Sequence, residues 1–153
     1  LKVCSAVSYA HRNLVIHRDL KPSNILITDA GEPKLLDFGL AKTLDADAGE
    51  TQTGLRAFTP AYASPEQIQG GPMTTASDVF SLGVILYELL TSSKPFSVEG
   101  KSFGEIIKTI SHGDPPRPSE LPGVRPNNVQ VAQLRGDLDN IVLAALRKEP
   151  ERR

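Results

Sequence analysis

Two short segments near the start of the chain carry side chains that could do chemistry together. One is His17-Arg18-Asp19-Leu20-Lys21-Pro22-Ser23-Asn24 and the other is Asp37-Phe38-Gly39. Asp19 can act as a carboxylate base that orients a hydroxyl and takes its proton. Lys21 is a point charge suited to a phosphate oxygen. Asn24 and Asp37 offer amide and carboxylate oxygens, the donor set magnesium prefers with water completing its shell. Gly39 lets the chain turn sharply after Asp37. These roles make up phosphoryl transfer, which asks little covalent chemistry of a protein but needs a base, cations and rigid positioning. Either tripeptide alone, His-Arg-Asp or Asp-Phe-Gly, is a common turn sequence. Their combination in this order is far more specific.

The elements that must position these groups can be read from the surrounding pattern. Leu1 to His11 reads as the end of a helix with Leu1, Val3, Cys4, Val7 and Ala10 on one side. The segment from His17 to Asn24 crosses as a loop. Ile25-Leu26-Ile27 and Lys34-Leu35-Leu36 are short strands joined by the turn Thr28-Asp29-Ala30-Gly31-Glu32, hence a hairpin. The polar stretch from Thr43 to Thr59 has no apolar period and reads as a mobile loop, after which Ser64-Pro65-Glu66 starts a short helix. The strongest helix is expected from Ala76 to Leu90, started by Thr75-Ala76-Ser77-Asp78 as a capping box with Asp for the usual Glu. It is apolar nearly all round and therefore belongs in the middle of a domain. Phe103 to Ile110 predicts an amphipathic helix. Gly113 to Asn127 contains five prolines and predicts an irregular connection. A last helix would bury Leu138, Ile141, Val142, Ala145 and Leu146.

Composition places these elements in one globular domain. A chain of 153 residues can bury roughly two-thirds of its unfolded surface. With a net charge of −1 it has no bulk charge to attract nucleic acid or an anionic membrane surface. Cys4 is the only cysteine, so an intramolecular disulfide and a cysteine zinc cluster are both excluded. No secretory signal and no apolar run near the ~18 residues of a membrane span occur in the sequence. The expected location is the cytoplasm, with any membrane anchor lying in a segment outside this sequence. Both ends read as cut.

Taken together, these motifs resemble the C-terminal lobe of a Ser/Thr protein kinase of the eukaryotic-like (Hanks) type, in its bacterial branch. The resemblance covers residues 1–153 and implies an α+β, protein-kinase-like C-lobe that is mainly helical, with a short hairpin carrying the catalytic loop (17–24) and metal loop (37–39). It implies an activation segment over 37–66 and a helical subdomain over 75–153. By it, Asp19 is the catalytic base, Asn24 and Asp37 hold Mg2+ (or Mn2+), and Lys21 marks Ser/Thr specificity. Ser64-Pro65-Glu66 stands where the family has Ala-Pro-Glu. Glu66 would pair with an arginine near the end of the lobe, with Arg153 the candidate and Arg152 the runner-up. Thr59 resembles the threonine of the substrate loop, although Phe58 replaces the glycine often found before it. Asp78 resembles a buried aspartate that holds the catalytic loop's backbone, with helix capping as its alternative role. His17 reads as a packed, hydrogen-bonded structural residue.

Arg18 beside the base implies control by activation-loop phosphorylation, because a phosphate can order a loop by pairing with arginine. Thr51-Gln52-Thr53 resembles the paired phosphothreonine motif of bacterial receptor kinases. Thr51 and Thr53 are therefore the expected autophosphorylation sites, with Arg18 binding one phosphate. The implied partners are ATP, proteins with Ser or Thr acceptors, and a second kinase copy for trans-autophosphorylation. No Gly-x-Gly-x-x-Gly occurs in the sequence, and the family places that loop, the strand lysine and its glutamate partner in an N-terminal lobe before Leu1. This 153-residue segment alone is accordingly expected to be inactive and to expose apolar surface where that lobe and a last helix would sit. A non-catalytic docking module, binding through the Phe103–Ile110 region, is the alternative function. An aminoglycoside-type small-molecule phosphotransferase is a third, disfavoured by Lys21-Pro22, the threonine-bearing loop and Ser64-Pro65-Glu66.

Overall fold

The computed structural model of the chain describes residues 1–38, 59–121 and 131–153. Six helices and one hairpin are described: α1 (Lys2–Arg12), β1 (Ile25–Ile27), β2 (Pro33–Leu35), α2 (Pro65–Ile68), α3 (Thr75–Thr91), α4 (Phe103–His112), α5 (Val131–Leu134) and α6 (Asp137–Ala145). The expected Thr51 and Thr53 sites, Gly39 and most of the Thr43–Thr59 stretch lie outside the described residues. No described helix is long and apolar enough to cross a membrane.

Helix α1 ends in a Schellman motif. Val15 N–H reaches the Ala10 carbonyl and Leu14 N–H the His11 carbonyl, each at 3.0 Å. Leu14 takes the left-handed position at φ +60° that usually falls to glycine. The motif turns the chain out of the helix and into the segment bearing Asp19. Next comes the hairpin, with register Ile25↔Leu35, Leu26↔Lys34 and Ile27↔Pro33. The second strand thus begins and ends one residue earlier than its apolar pattern suggests. Its turn closes through Thr28 N–H to the Glu32 carbonyl (3.0 Å) and Gly31 N–H to the Thr28 carbonyl (2.8 Å), with Gly31 at φ +73°.

Helix α3 is the central beam. Phe80, Val84 and Tyr87 enter a cluster with Ala63, Ile68, Phe96, Ile110, Val142 and Leu146. Ile85 instead joins Val7 of α1 and Leu20 in a second cluster beneath the loop that carries Asp19. Full burial of side chains such as Phe80, Val84 and Leu20 contributes roughly 1.5–3 kcal/mol each. Phe80 and Phe96 stack with centroids 6.1 Å apart. Gly83 allows α6 to lie close against α3, since a Cβ there would meet Ala145 Cβ at 2.8 Å.

Two sequence expectations change here. The α3 capping box uses Thr74 and Ser77, one residue before the expected Thr75 and Asp78: Thr74 N–H donates to Ser77 Oγ at 3.1 Å. Asp78 is engaged elsewhere and does not cap. Ile141, expected on the buried face of the last helix, is 56% exposed, while Val142 and Leu146 carry the packing. The described part of the loop after α4 contains a 3₁₀ turn at Pro118–Glu120. That turn is fastened by the buried Asp139 carboxylate, which accepts from Ser119 N–H (3.0 Å) and Ser119 Oγ (2.6 Å).

Candidate active site

The loop from His17 to Asn24 is held from below by one carboxylate. Asp78, 1% exposed, accepts Arg18 N–H on Oδ1 (2.9 Å) and both His17 N–H (2.8 Å) and His11 Nε2–H (2.7 Å) on Oδ2. Buried carboxylates need such donors, because an unpaired one costs several kcal/mol, of order 3–5. His11 is a member of this network that the sequence reading passed over. The backbone of Arg18 is left-handed, at φ +67°, a conformation uncommon for a residue with a long side chain.

Asp19 follows. Its Oδ2 lies 3.0 Å from Lys21 Nζ and accepts from Asn24 Nδ2 at 3.2 Å. The same amide nitrogen donates to the Asp19 carbonyl at 2.8 Å. Leu20, 1% exposed, points the opposite way into the cluster with Val7 and Ile85. Asp19 and Lys21, on either side of it, therefore share the solvent side. A 3₁₀ turn over Pro22–Asn24, begun by a proline that needs no N–H partner, brings Asn24 back beneath Asp19.

The strand leading to Asp37 is tied to this loop. Leu36 N–H donates to the Asn24 carbonyl at 2.9 Å. The Leu36 carbonyl accepts from His17 Nε2 at 3.0 Å. A carbonyl can only accept, so Nε2 carries the proton and Nδ1 is free to accept Asp19 N–H at 3.4 Å. His17 is thus buried and doubly bonded, and its ring also meets Phe38 at 4.7 Å. Asp37 itself is exposed with φ +51°, the second left-handed non-glycine residue at this site. The donor chemistry suits magnesium. The Asn24 amide nitrogen is spent on Asp19, so the oxygen is the atom it offers elsewhere. Among the described residues no group of three His, Cys, Asp or Glu converges to hold a metal.

A small cleft opens between this loop and the segment before α2, with Asp19, Lys21, Thr59, Tyr62 and Gln67 among its walls. Thr59 is brought to the same cleft as Asp19 and Lys21. Tyr62 donates to Glu88 at 2.7 Å, and burial followed by that carboxylate pushes its phenol well above the ordinary range. Gln67 Nε2 donates to the Arg18 carbonyl at 2.9 Å. Behind the cleft, Glu66 meets Arg153 through two bonds of 2.7 and 2.9 Å, while Arg152 stays on the surface. Against α1 lies an open apolar groove of about 480 Å³, walled by Tyr9, Val15, Leu35 and Phe38 among others.

The chain matches the protein kinase domain over residues 1–153. It is 40% identical over 150 residues to the serine/threonine-protein kinase PknB of Mycobacterium leprae and 41% identical over 152 residues to PknB of Mycobacterium tuberculosis. Each alignment covers 98% of this chain and 22% of the relative. It is 45% identical over 117 residues to the serine/threonine-protein kinase PknA of Mycobacterium tuberculosis, covering 76% of this chain and 27% of that protein. The chain therefore spans roughly a quarter or less of the length of these curated relatives. With the Asp19-bearing loop pinned to a buried carboxylate and bonded to the strand that leads into Asp37, and with this match along its whole length, the chain belongs to the protein kinase domain family.

Proposed function

We propose that this chain is the C-terminal lobe of a protein serine/threonine kinase that transfers the γ-phosphoryl group of ATP to Ser and Thr hydroxyls of proteins. The observation that carries the proposal is the clamp on Asp19, whose carboxylate lies 3.0 Å from the Lys21 ammonium and 3.2 Å from the Asn24 amide. A base held in this way can orient an acceptor hydroxyl and take its proton without reorganising, and positioning of this kind supplies most of phosphoryl-transfer catalysis. Lys21 stands beside the base to meet the charge of the group being transferred, and Thr59 borders the cleft in which the acceptor would lie. Asn24 Oδ1 and the Asp37 carboxylate would hold Mg2+ (or Mn2+), which when bound neutralises charge on the phosphate oxygens. The names of the three mycobacterial relatives support protein serine/threonine specificity over a small-molecule acceptor.

The proposal extends to regulation. Thr51 and Thr53 are autophosphorylated, in a dimer where one copy acts on the other, and Arg18 binds one of the phosphates. The sequence has no glycine-rich loop to cover the nucleotide phosphates, so residues 1–153 alone are inactive and the full-length chain, with its kinase domain in the cytoplasm and any membrane anchor outside this sequence, is the enzyme.

The test is transfer of labelled γ-phosphate by the full-length protein with Mg2+. The wild type should label itself on Thr51 and Thr53 and also label a Ser/Thr substrate protein. Asp19→Asn should lower that rate by roughly 10²–10⁴-fold, the usual contribution of a general base. Transfer at the wild-type rate in Asp19→Asn would overturn the proposal and leave a docking role. Phosphopeptide mapping of the active protein with neither threonine modified would remove the regulatory part.

A further inference from the structure

The Gln67 side chain is not among the groups assigned above. Its backbone is anchored, because Gln67 N–H donates to Ser64 Oγ at 3.3 Å and the preceding residue, Glu66, is locked to Arg153. From that fixed point Gln67 Nε2 crosses to the Arg18 carbonyl at 2.9 Å, a contact between residues 49 apart in sequence. The Arg18 carbonyl belongs to the peptide whose N–H is that of Asp19. One edge of this peptide plane is held by Gln67 and the other by His17 Nδ1, at 3.4 Å. The plane follows a residue at φ +67°, where a relaxed chain would turn differently.

We infer that Gln67 is a positioning residue for phosphate transfer: its amide holds the Arg18–Asp19 peptide in the orientation that aims the Asp19 carboxylate into the cleft. The effect acts through the base and rests on the reading of Asp19 given above. Loss of one such hydrogen bond lets the peptide rock and moves the carboxylate off line. Phosphoryl transfer is sensitive to this, because catalysis there is mostly positioning.

The experiment compares Gln67→Met and Gln67→Glu with the wild type in the full-length protein, alongside Asp19→Asn. Methionine keeps the length and volume but has no donor. Glutamate keeps the shape but turns an acceptor toward a carbonyl. A net hydrogen bond corresponds to roughly a 3- to 10-fold effect, so Gln67→Met should lower kcat by about that factor and Gln67→Glu by more. KM for ATP should stay within about twofold, and the melting temperature should stay close to that of the wild type. A Gln67→Met variant with wild-type kcat overturns the inference. So does a loss of kcat matched by a large fall in melting temperature or a parallel rise in KM, since Gln67 would then serve the fold or substrate binding rather than aim. If Asp19→Asn retains activity, the underlying reading fails and the inference falls with it. If Asp19→Asn is inactive and Gln67→Met is not impaired, the inference alone fails.

Discussion

Arg153 and Glu66, 87 residues apart in sequence, form a bidentate pair in which every N–H of the guanidinium is used. Nη1 donates to Glu66 Oε1 (2.7 Å) and to the Ala76 carbonyl (3.0 Å). Nη2 donates to Glu66 Oε2 and to the Lys148 carbonyl, each at 2.9 Å, and Nε to the Arg147 carbonyl at 2.7 Å. The Arg153 side chain is fully buried, its guanidinium carbon 5.0 Å from the centroid of the Phe80 ring. Five donors in a rigid fork suit five acceptors from three parts of the chain in a way that an ammonium group cannot.

Removing either partner leaves an uncompensated charge in the interior. Arg153→Ala or Glu66→Ala should each lower unfolding free energy by about 3–5 kcal/mol in urea titrations. Arg153→Lys should recover only part of the loss, because three donors replace five. A cost under about 1 kcal/mol for Arg153→Ala would show that the pair does not hold α2 in place.

The same contacts set the pH dependence of stability. Burial alone would raise the Glu66 carboxyl, but hydrogen bonds from Arg153 and Ser77 outweigh it and hold the group below its ordinary 4.5. Its contribution is therefore complete above about pH 4.5 and fades as pH falls through the lower folded-state value. Lys148 behaves in the opposite sense. Burial, opposed by Asp114 and aided by Arg153, pushes its ammonium down to about 8. Between about 8 and 10.5 the unfolded chain holds a proton that the folded chain has released, so this group adds stability as pH rises through that window. Melts of wild type and Lys148→Met across pH 7–11 isolate the effect. The wild type should gain stability relative to the variant up to about pH 10.5, and parallel curves would refute it.

Asp78 receives three N–H groups from two segments. Asp78→Ala would strand the His17 and Arg18 amides and remove the partner of His11. A loss of about 3–5 kcal/mol is expected, together with a fall in phosphate transfer, because the left-handed turn at Arg18 loses its anchor. Asp78→Asn keeps the shape and should fall between. Urea titration with a parallel activity assay checks both. Loss of activity without loss of stability would separate the two roles.

Gly83→Ala tests the α3–α6 contact. Alanine is the better helix former by ~1 kcal/mol, yet its Cβ would stand 2.8 Å from Ala145 Cβ and 3.3 Å from Leu146 Cδ2. Overpacking of this kind costs about 1–3 kcal/mol, so a net destabilisation is expected. Ala145→Gly in the same chain should relieve the clash and restore part of the stability, read as a shift in melting temperature.

The candidate site was easiest to read in the sequence where its parts are close together. Asp19, Lys21 and Asn24 fall within six residues, and the structure brings the three side chains into contact, which their separate expected roles did not foretell. Asp37 follows through a hairpin whose turn residues are explicit. His11 and Gln67 were not legible, because their meaning depends on contacts with Asp78 and Arg18 across 67 and 49 residues. The α3 cap went astray for a related reason. Thr74/Ser77 and Thr75/Asp78 both read as boxes on local grounds, and the bonds of the Asp78 carboxylate to the His17 and Arg18 amides decide between them. Periodicity placed the last helix correctly but assigned Ile141 to the wrong face, since the line of contact with α3 runs through Val142 and Leu146.

The burial of Leu20 between Asp19 and Lys21 gives the loop a parity. Side chains alternate between the interior and the cleft over three residues, as they would on a strand. Adding or deleting a single residue here would drive a charged group into the hydrophobic cluster and present leucine to the cleft. The length of the segment from His17 to Asn24 is therefore constrained as tightly as the side chains it carries.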